Sequence, residues 1–256
     1  LLKSQGHEVE EKLSHHVTIT YLKSKKDWKF IISNFWNLNS AVIRELAEQP
    51  LKIDYCIYEH DHKYLESRNP AEYPNFKVPK SKIVNYKFYE SAAAVICQSE
   101  FHADIVRLNL GLDNIISVGG NLWSEEILEK LKSYSLEEKE DRCSIMHSPI
   151  PHKNTAAAIR YCKAKELPFG LVANSSYENF LHELTRNKTL VFFPQTPETL
   201  SRIVVEARMA GMKVVTNNLV GAAQEGWFSL KGPDLVDIMM AKRQEIPKLI
   251  MEIFVK

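Results

Sequence analysis

The stretch FFPQTPETLSRIVVEARMAGMKVVTN, residues 192–217, decides how this chain is read. Its first residues close a β-like run from Thr189 to Phe193, and Pro194 ends that run. A polar loop carries Glu198. Ser201 to Ala210 then spaces its apolar side chains as a helix does, Gly211 stops the helix, and Lys213 to Thr216 reads as a second buried run. Strand, helix and strand with short connections make a βαβ unit, which implies a parallel sheet with crossover helices.

The alternation extends outward from there. Toward the N-terminus lie a helix over Tyr177–Thr185, a strand over Phe169–Ala173, a helix over Asn154–Lys165 and a strand over Cys143–His147. A terminal helix runs from about Leu235 to Val255. Residues 124–142, SEEILEKLKSYSLEEKEDR, are charged and carry almost no β character, so a linker is expected there. Before it the same pattern recurs: strands at 28–33, 53–58, 93–97 and 114–118, with helices at 40–49, 83–91 and 100–109. Residues 63–82, rich in Pro, Asn and Lys, read as a long functional loop. The expected organisation is two Rossmann-like α/β domains, 1–123 and 143–256, facing across a cleft. Ligands in such sheets bind at the carboxyl ends of the strands. A doubly wound domain should open on a strand, yet a short helix ending at Gly6 comes first. The first strand is therefore expected to be missing from the given sequence.

Composition narrows the function classes. The 256 residues are 45% hydrophobic and 25% charged, the mix of an ordinary globular protein. Lys and Arg number 33 against 32 Asp and Glu, so no overall field draws the chain to nucleic acid. No apolar run approaches the ~20 residues of a membrane span. The start, LLKSQGHEVE, has no apolar segment of a signal peptide. Cys56, Cys97, Cys143 and Cys162 are widely spaced in apolar segments, which reads as reduced thiols in a cytoplasmic protein.

Two carboxylates carry the chemistry of the opening stretch. Glu206 lies eight positions after Glu198, among Ile203, Val204, Val205, Ala207 and Ala210, where an unpaired carboxylate is costly. On a helix unbroken from Glu198 the two would stand about 12 Å apart along the axis, a span that suits a ligand with hydroxyls at both ends and a charged linker between. The helix start supplies free N–H groups for an anion. In the plainer reading, Glu198 complements the helix dipole and Arg202 pairs with both acids at i,i±4.

This stretch resembles the donor-site motif of family 4 retaining glycosyltransferases of the GT-B fold. That motif reads Glu, seven residues, Glu, then Ala-x-x-x-Gly and a β run; here Glu198, Glu206, Ala207, Gly211 and Lys213-Val214-Val215 fill it. The resemblance implies that Glu198 contacts the donor sugar near the reacting centre and that Glu206 holds the ribose hydroxyls. Thr199-Leu200-Ser201 stand where the family has Gly-Phe-Gly, and with Arg202 and Ile203 they would line the donor site. Tyr58-Glu59-His60-Asp61 resembles the strand end whose His points toward the donor sugar, which makes His60 a catalytic candidate beside Glu198. Val95 to Glu100, Ser117 to Asn121 and Gly6-His7-Glu8-Val9 resemble further family segments. In Ser148 to Asn154, Lys153 matches the family's diphosphate-neutralising Lys, while the expected Arg is absent.

The resemblance implies transfer of a sugar from a nucleotide-sugar donor to an acceptor hydroxyl, with retention and with no metal or other cofactor. The acceptor could be a saccharide, a lipid-linked glycan or a protein. A GT-B epimerase or hydrolase, or a degenerate homologue that binds without turnover, are the alternatives. His60-Asp61-His62 with Cys56 also reads as a metal site, since alternate strand residues share a face. Residues 77–89, with four lysines and three aromatic rings and no acid, could meet an anionic acceptor or give peripheral contact with a membrane; a solvated face over core aromatics is the plainer reading.

Overall fold

The computed structural model describes residues 1–173 and 175–255. They divide into two compact units, residues 1–118 with 244–256, and residues 119–243. The first unit contains α1 (Ile19–Ser24), β1 (Lys29–Ile32), α2 (Ser40–Glu48), β2 (Asp54–Tyr58), α3 (Tyr86–Glu90), β3 (Ala94–Cys97), α4 (Glu100–Leu110) and β4 (Ile115–Ser117). The second contains α5 (Glu125–Leu136), β5 (Glu140–Met146), α6 (Thr155–Ala164), β6 (Phe169–Val172), α7 (Tyr177–Thr185), β7 (Asn187–Phe192), α8 (Arg202–Met209) and β8 (Lys213–Thr216). A last helix, α9 (Pro233–Ile253), begins in the second unit and ends among residues grouped with the first.

Each unit is built on a parallel four-stranded sheet, ordered β1-β2-β3-β4 in one and β6-β5-β7-β8 in the other. These are two Rossmann-like α/β units, as the βαβ reading expects. Continuous apolar runs explain the central strands. Ala94-Val95-Ile96-Cys97 of β3 is buried at every position, as a parallel strand covered on both faces should be. Helices begin where a side chain satisfies a free N–H: Asn39 caps α2, Ser99 caps α4, Ser124 caps α5 and Ser176 caps α7. Gly211 ends the α8 segment at φ 82°, which a side chain would strain.

Three expectations need correction. Residues 124–142 are not a bare linker: they hold α5 and the start of β5. The charges of this stretch lie on one helical face, while Leu128, Leu131 and Tyr134 enter the second unit's core. The boundary falls at Val118–Gly119 instead. The helix expected before Gly6 is a single 3₁₀ turn, Lys3–Gln5, closed by Gly6 at φ 91°. Finally, α1 has no counterpart in the sequence reading; Thr18 caps it, but six residues give too short a period to recognise. Among the described residues no helix is long and apolar enough to cross a membrane.

The corrected boundary can be measured. Leu131 is fully buried in the second unit, so Leu131→Ala should lower the stability of that unit by about 2–5 kcal/mol in urea unfolding. A solvated linker residue would change it by less than about 0.5 kcal/mol.

Candidate functional site

The second unit gathers its polar groups at the carboxyl ends of β5 and β7. The chain leaves β7 through Pro194, and the loops there are laced together. Gln195 N–H donates to the His152 carbonyl at 2.8 Å, Asn154 Nδ2 to the Phe193 carbonyl at 3.1 Å, and Asn217 Nδ2 to the Pro194 carbonyl at 2.8 Å. Glu198 pairs with Val220 in a short parallel bridge, its N–H donating to Leu219 and its carbonyl accepting from Gly221. It is not on a helix, which corrects the spacing argument: α8 starts only at Arg202. The Glu198 carboxylate instead receives Lys153 Nζ at 2.7 Å, from a loop 45 residues away. Lys153 also lies 5.9 Å from the centre of the Phe192 ring.

Glu206 is 2% exposed on α8. Three donors converge on its Oε1: Trp123 Nε1 at 2.9 Å, Tyr177 OH at 2.7 Å and Arg202 Nε at 3.5 Å. Arg202 also stacks on Trp123, with 4.6 Å from guanidinium carbon to ring centre, and donates to the Leu122 carbonyl. Burial first, and then the nearby Glu206 carboxylate, push the Tyr177 phenol up to about 12, so it stays a donor at neutral pH. Of the two acids, Arg202 pairs with Glu206, while Glu198 pairs with Lys153. Sequence reasoning missed Trp123 and Tyr177 as partners. A buried carboxylate demands donors, but these come from 83 and 29 residues away with no local signal.

The start of α8 is bare. Ser201 precedes it in the left-handed region, at φ 72° and ψ 87°, and caps no N–H. Its hydroxyl is buried without a hydrogen-bond partner, in a residue 8% exposed. A strained residue with an orphaned hydroxyl beside uncapped N–H groups is a place where an anionic ligand can be satisfied. Of the other expected donor residues, Leu200 puts its side chain into the hydrophobic core and the half-buried Ile203 packs against it. Thr199 is partly buried in the same loop.

In the first unit, His60 follows β2 and stacks on Tyr58, with ring centres 5.1 Å apart. Burial lowers its pKa, and Lys63 lowers it further against the pull of Glu59 and Asp61, so the imidazole is neutral near pH 7. The turn that carries it is folded around Glu59. That carboxylate is 0% exposed. Its Oε1 accepts from the N–H groups of His60, Asp61 and Lys63 at 3.0, 2.9 and 3.3 Å, and its Oε2 from Tyr89 OH. Lys63 Nζ adds a buried ion pair at 3.6 Å. Burial alone would raise the Glu59 pKa; Lys63, Tyr89 and the amides outweigh it and hold the carboxylate charged.

The metal reading of His60, His62 and Cys56 fails on geometry. The strand ends at Tyr58, so residues 60–62 do not alternate as strand positions do. His62, at φ 55°, turns inward to meet His102 at 4.8 Å between ring centres. Burial pushes the Cys56 thiol up to about 12. Among the described residues no three His, Cys, Asp or Glu side chains are grouped to hold a metal. In residues 77–89, Val78, Phe88 and Tyr89 are buried while Lys77, Lys80, Lys82 and Lys87 are exposed, as in a solvated face over core aromatics.

No family model matches the chain, and no curated protein is similar to it in sequence. Solved structures of similar fold exist. One is HepE from Anabaena in complex with UDP and glucose, with a TM-score of 0.52 and 13% identity over 80% of this chain. Another is HepE in complex with UDP-glucose, with a TM-score of 0.51 and 12% identity over 90% of this chain. The chain spans 63% of the length of the first and 72% of the second. At such identity the likeness is one of fold.

The histidines beneath His60 make the first unit acid-sensitive. Burial pushes His62 down to about 4 and His102 well below its ordinary range. Both are neutral in the fold but take up protons below about pH 6.5 once unfolded. Stability is therefore full above about pH 6.5 and falls as the pH drops toward 4, by about 3 kcal/mol at pH 4 for His62. Denaturant unfolding across this range should show that slope, and His62→Asn should flatten it. An unchanged slope in the variant would contradict the assignment.

Proposed function

We propose that this chain is a glycosyltransferase that moves a sugar from a nucleotide-sugar donor to an acceptor hydroxyl, retaining the anomeric configuration and using no metal. The observation that carries the reading is the meeting of Lys153 and Glu198 at 2.7 Å beside the uncapped start of α8. A diphosphate leaving group gains charge as its bond to the sugar breaks, and fixed cations and dipoles must meet that charge. Lys153 and the N–H groups of Arg202 and Ile203 are suited to this, with the Ser201 hydroxyl free to donate as well. When Lys153 turns to the diphosphate, its partner Glu198 is released to accept from a sugar hydroxyl. Glu206 has all its recorded donors on Oε1, which leaves Oε2 as the acceptor for ribose hydroxyls. His60, neutral near pH 7, is assigned to the sugar.

Because HepE has been solved with UDP and with UDP-glucose, UDP is the first probe. At a ligand concentration about 100 times its Kd, binding to the folded form alone adds about 2.7 kcal/mol of stability, which a thermal-shift assay reads. No shift with UDP, the other nucleoside diphosphates or their sugars would remove the donor site. Glu206→Gln keeps an oxygen for Trp123 and Tyr177, so the fold should persist while nucleotide affinity falls by about 1.5–3 kcal/mol. Equal affinity would reduce Glu206 to a structural partner of Trp123 and Tyr177.

The sugar-facing assignment has its own signature. Glu198→Gln and His60→Ala should lower kcat far more than they weaken binding of bare UDP, whereas equal losses would move both residues to the nucleotide. Transfer should persist in excess chelator and be strongly impaired by Lys153→Ala. Activity lost in chelator and restored by magnesium or manganese would overturn the assignment of charge neutralisation to Lys153.

A further inference from the structure

We infer that Trp36, Arg68 and Asp61 form a saccharide-binding platform on the first unit, above the carboxyl ends of β1 and β2. Trp36 is 55% exposed, and one face of its indole carries the Arg68 guanidinium, whose carbon is 4.5 Å from the ring centre. Arg68 Nη1 lies 4.0 Å from Asp61 Oδ2, and Asp61 follows His60 directly. The three side chains thus lie in one chain of contacts, on the two loops that leave neighbouring parallel strands.

Each member is fixed from below by a buried neighbour. Trp36 follows Phe35, which packs at 5.0 Å from Phe88 and 5.9 Å from Tyr89 between ring centres, and the Trp36 N–H donates to Asn34 Oδ1. Asp61 N–H donates to the buried Glu59 carboxylate at 2.9 Å. Arg68 N–H donates to the carbonyl of buried Leu65 at 3.0 Å, while Arg68 itself sits at φ 55°. The backbones of all three residues are held, and the stack of Arg68 on Trp36 with its ion pair to Asp61 restricts the side chains, which lowers the entropy to be lost on binding.

The chemistry of the three groups selects the ligand class. A pyranose has a face of C–H bonds and a rim of hydroxyls. The face can lie on the open indole surface, the fork of Arg68 can donate to two rim oxygens, and the Asp61 carboxylate can accept from hydroxyls. Arg68 and Asp61 balance one another, and Lys63 Nζ, 3.2 Å from Asp61 Oδ2, is a second cation on that carboxylate; the patch offers donors and acceptors together, not a field of one sign. An apolar chain would take this ion pair out of water and give it no hydrogen bond in return. Only in naming that saccharide the acceptor does the inference rest on the proposed transfer reaction.

The test uses the full chain and saturation-transfer NMR with maltose, cellobiose, lactose and chitobiose, beside UDP as a separate probe. At least one disaccharide should bind, Trp36→Ala and Arg68→Ala should each weaken it by about tenfold or more, and Trp36→Phe should keep it within about threefold. All three variants should bind UDP as the parent does. Absence of binding by every disaccharide, or undiminished binding to Trp36→Ala, would overturn the platform. Disaccharide binding that depends on Trp36 in a chain that ignores UDP would sustain the platform and remove the donor reading.

Discussion

A carboxylate can leave water only where donors converge on it, and both units are organised by that constraint. In the first unit the buried Glu59 collects three backbone N–H groups, the Tyr89 hydroxyl and the Lys63 ammonium. The turn after β2 wraps the carboxylate, which accepts from three of its N–H groups. His60 and Asp61 take their places from it. In the second unit Glu206 draws Trp123, Tyr177 and Arg202 to one oxygen. This ties the start of α5, the start of α7 and the body of α8 together through a single group. Removing one partner of such a network leaves a charge or a donor unpaired, so the networks specify geometry more strictly than apolar packing does.

The Lys153–Glu198 pair differs from these in one respect. Its side chains remain partly open, at 25% and 14% exposure, so the pair can exchange partners without stranding a charge in the interior. Glu59 and Glu206 have no such freedom. The second unit therefore combines a fixed carboxylate with an exchangeable one, separated by a helix start that no side chain caps. A fixed acceptor suits a part of the ligand that stays, and an exchangeable pair suits the part whose charge changes.

The βαβ units, the parallel sheets and nearly every strand were legible in the sequence, because apolar period and Gly, Pro and Ser punctuation act over a few residues. Tyr177–Thr185 and Lys213–Thr216 have the same bounds in the sequence and in the structure. The stretch 124–142 was misread because its charges dominate its composition, while the apolar stripe of α5 shows only when the residues are wound on a helix. Free N–H groups at this helix start were expected; what stayed hidden was why no side chain caps them, since Ser201 is an ordinary N-cap residue by type and only its left-handed backbone withholds the cap.

By itself the sequence determined the fold class and the presence of Glu198, Glu206, Lys153 and His60 as candidates, since residue type and local spacing are properties of the chain alone. Only the tertiary structure decided their partners. Glu198 met Lys153 rather than Arg202, Glu206 met Trp123 and Tyr177, and His62 turned from a supposed ligand into a core residue against His102. Each of those pairings spans 29 residues or more. Contacts at such range are set by how strands and loops pack in three dimensions, which local period and composition do not encode.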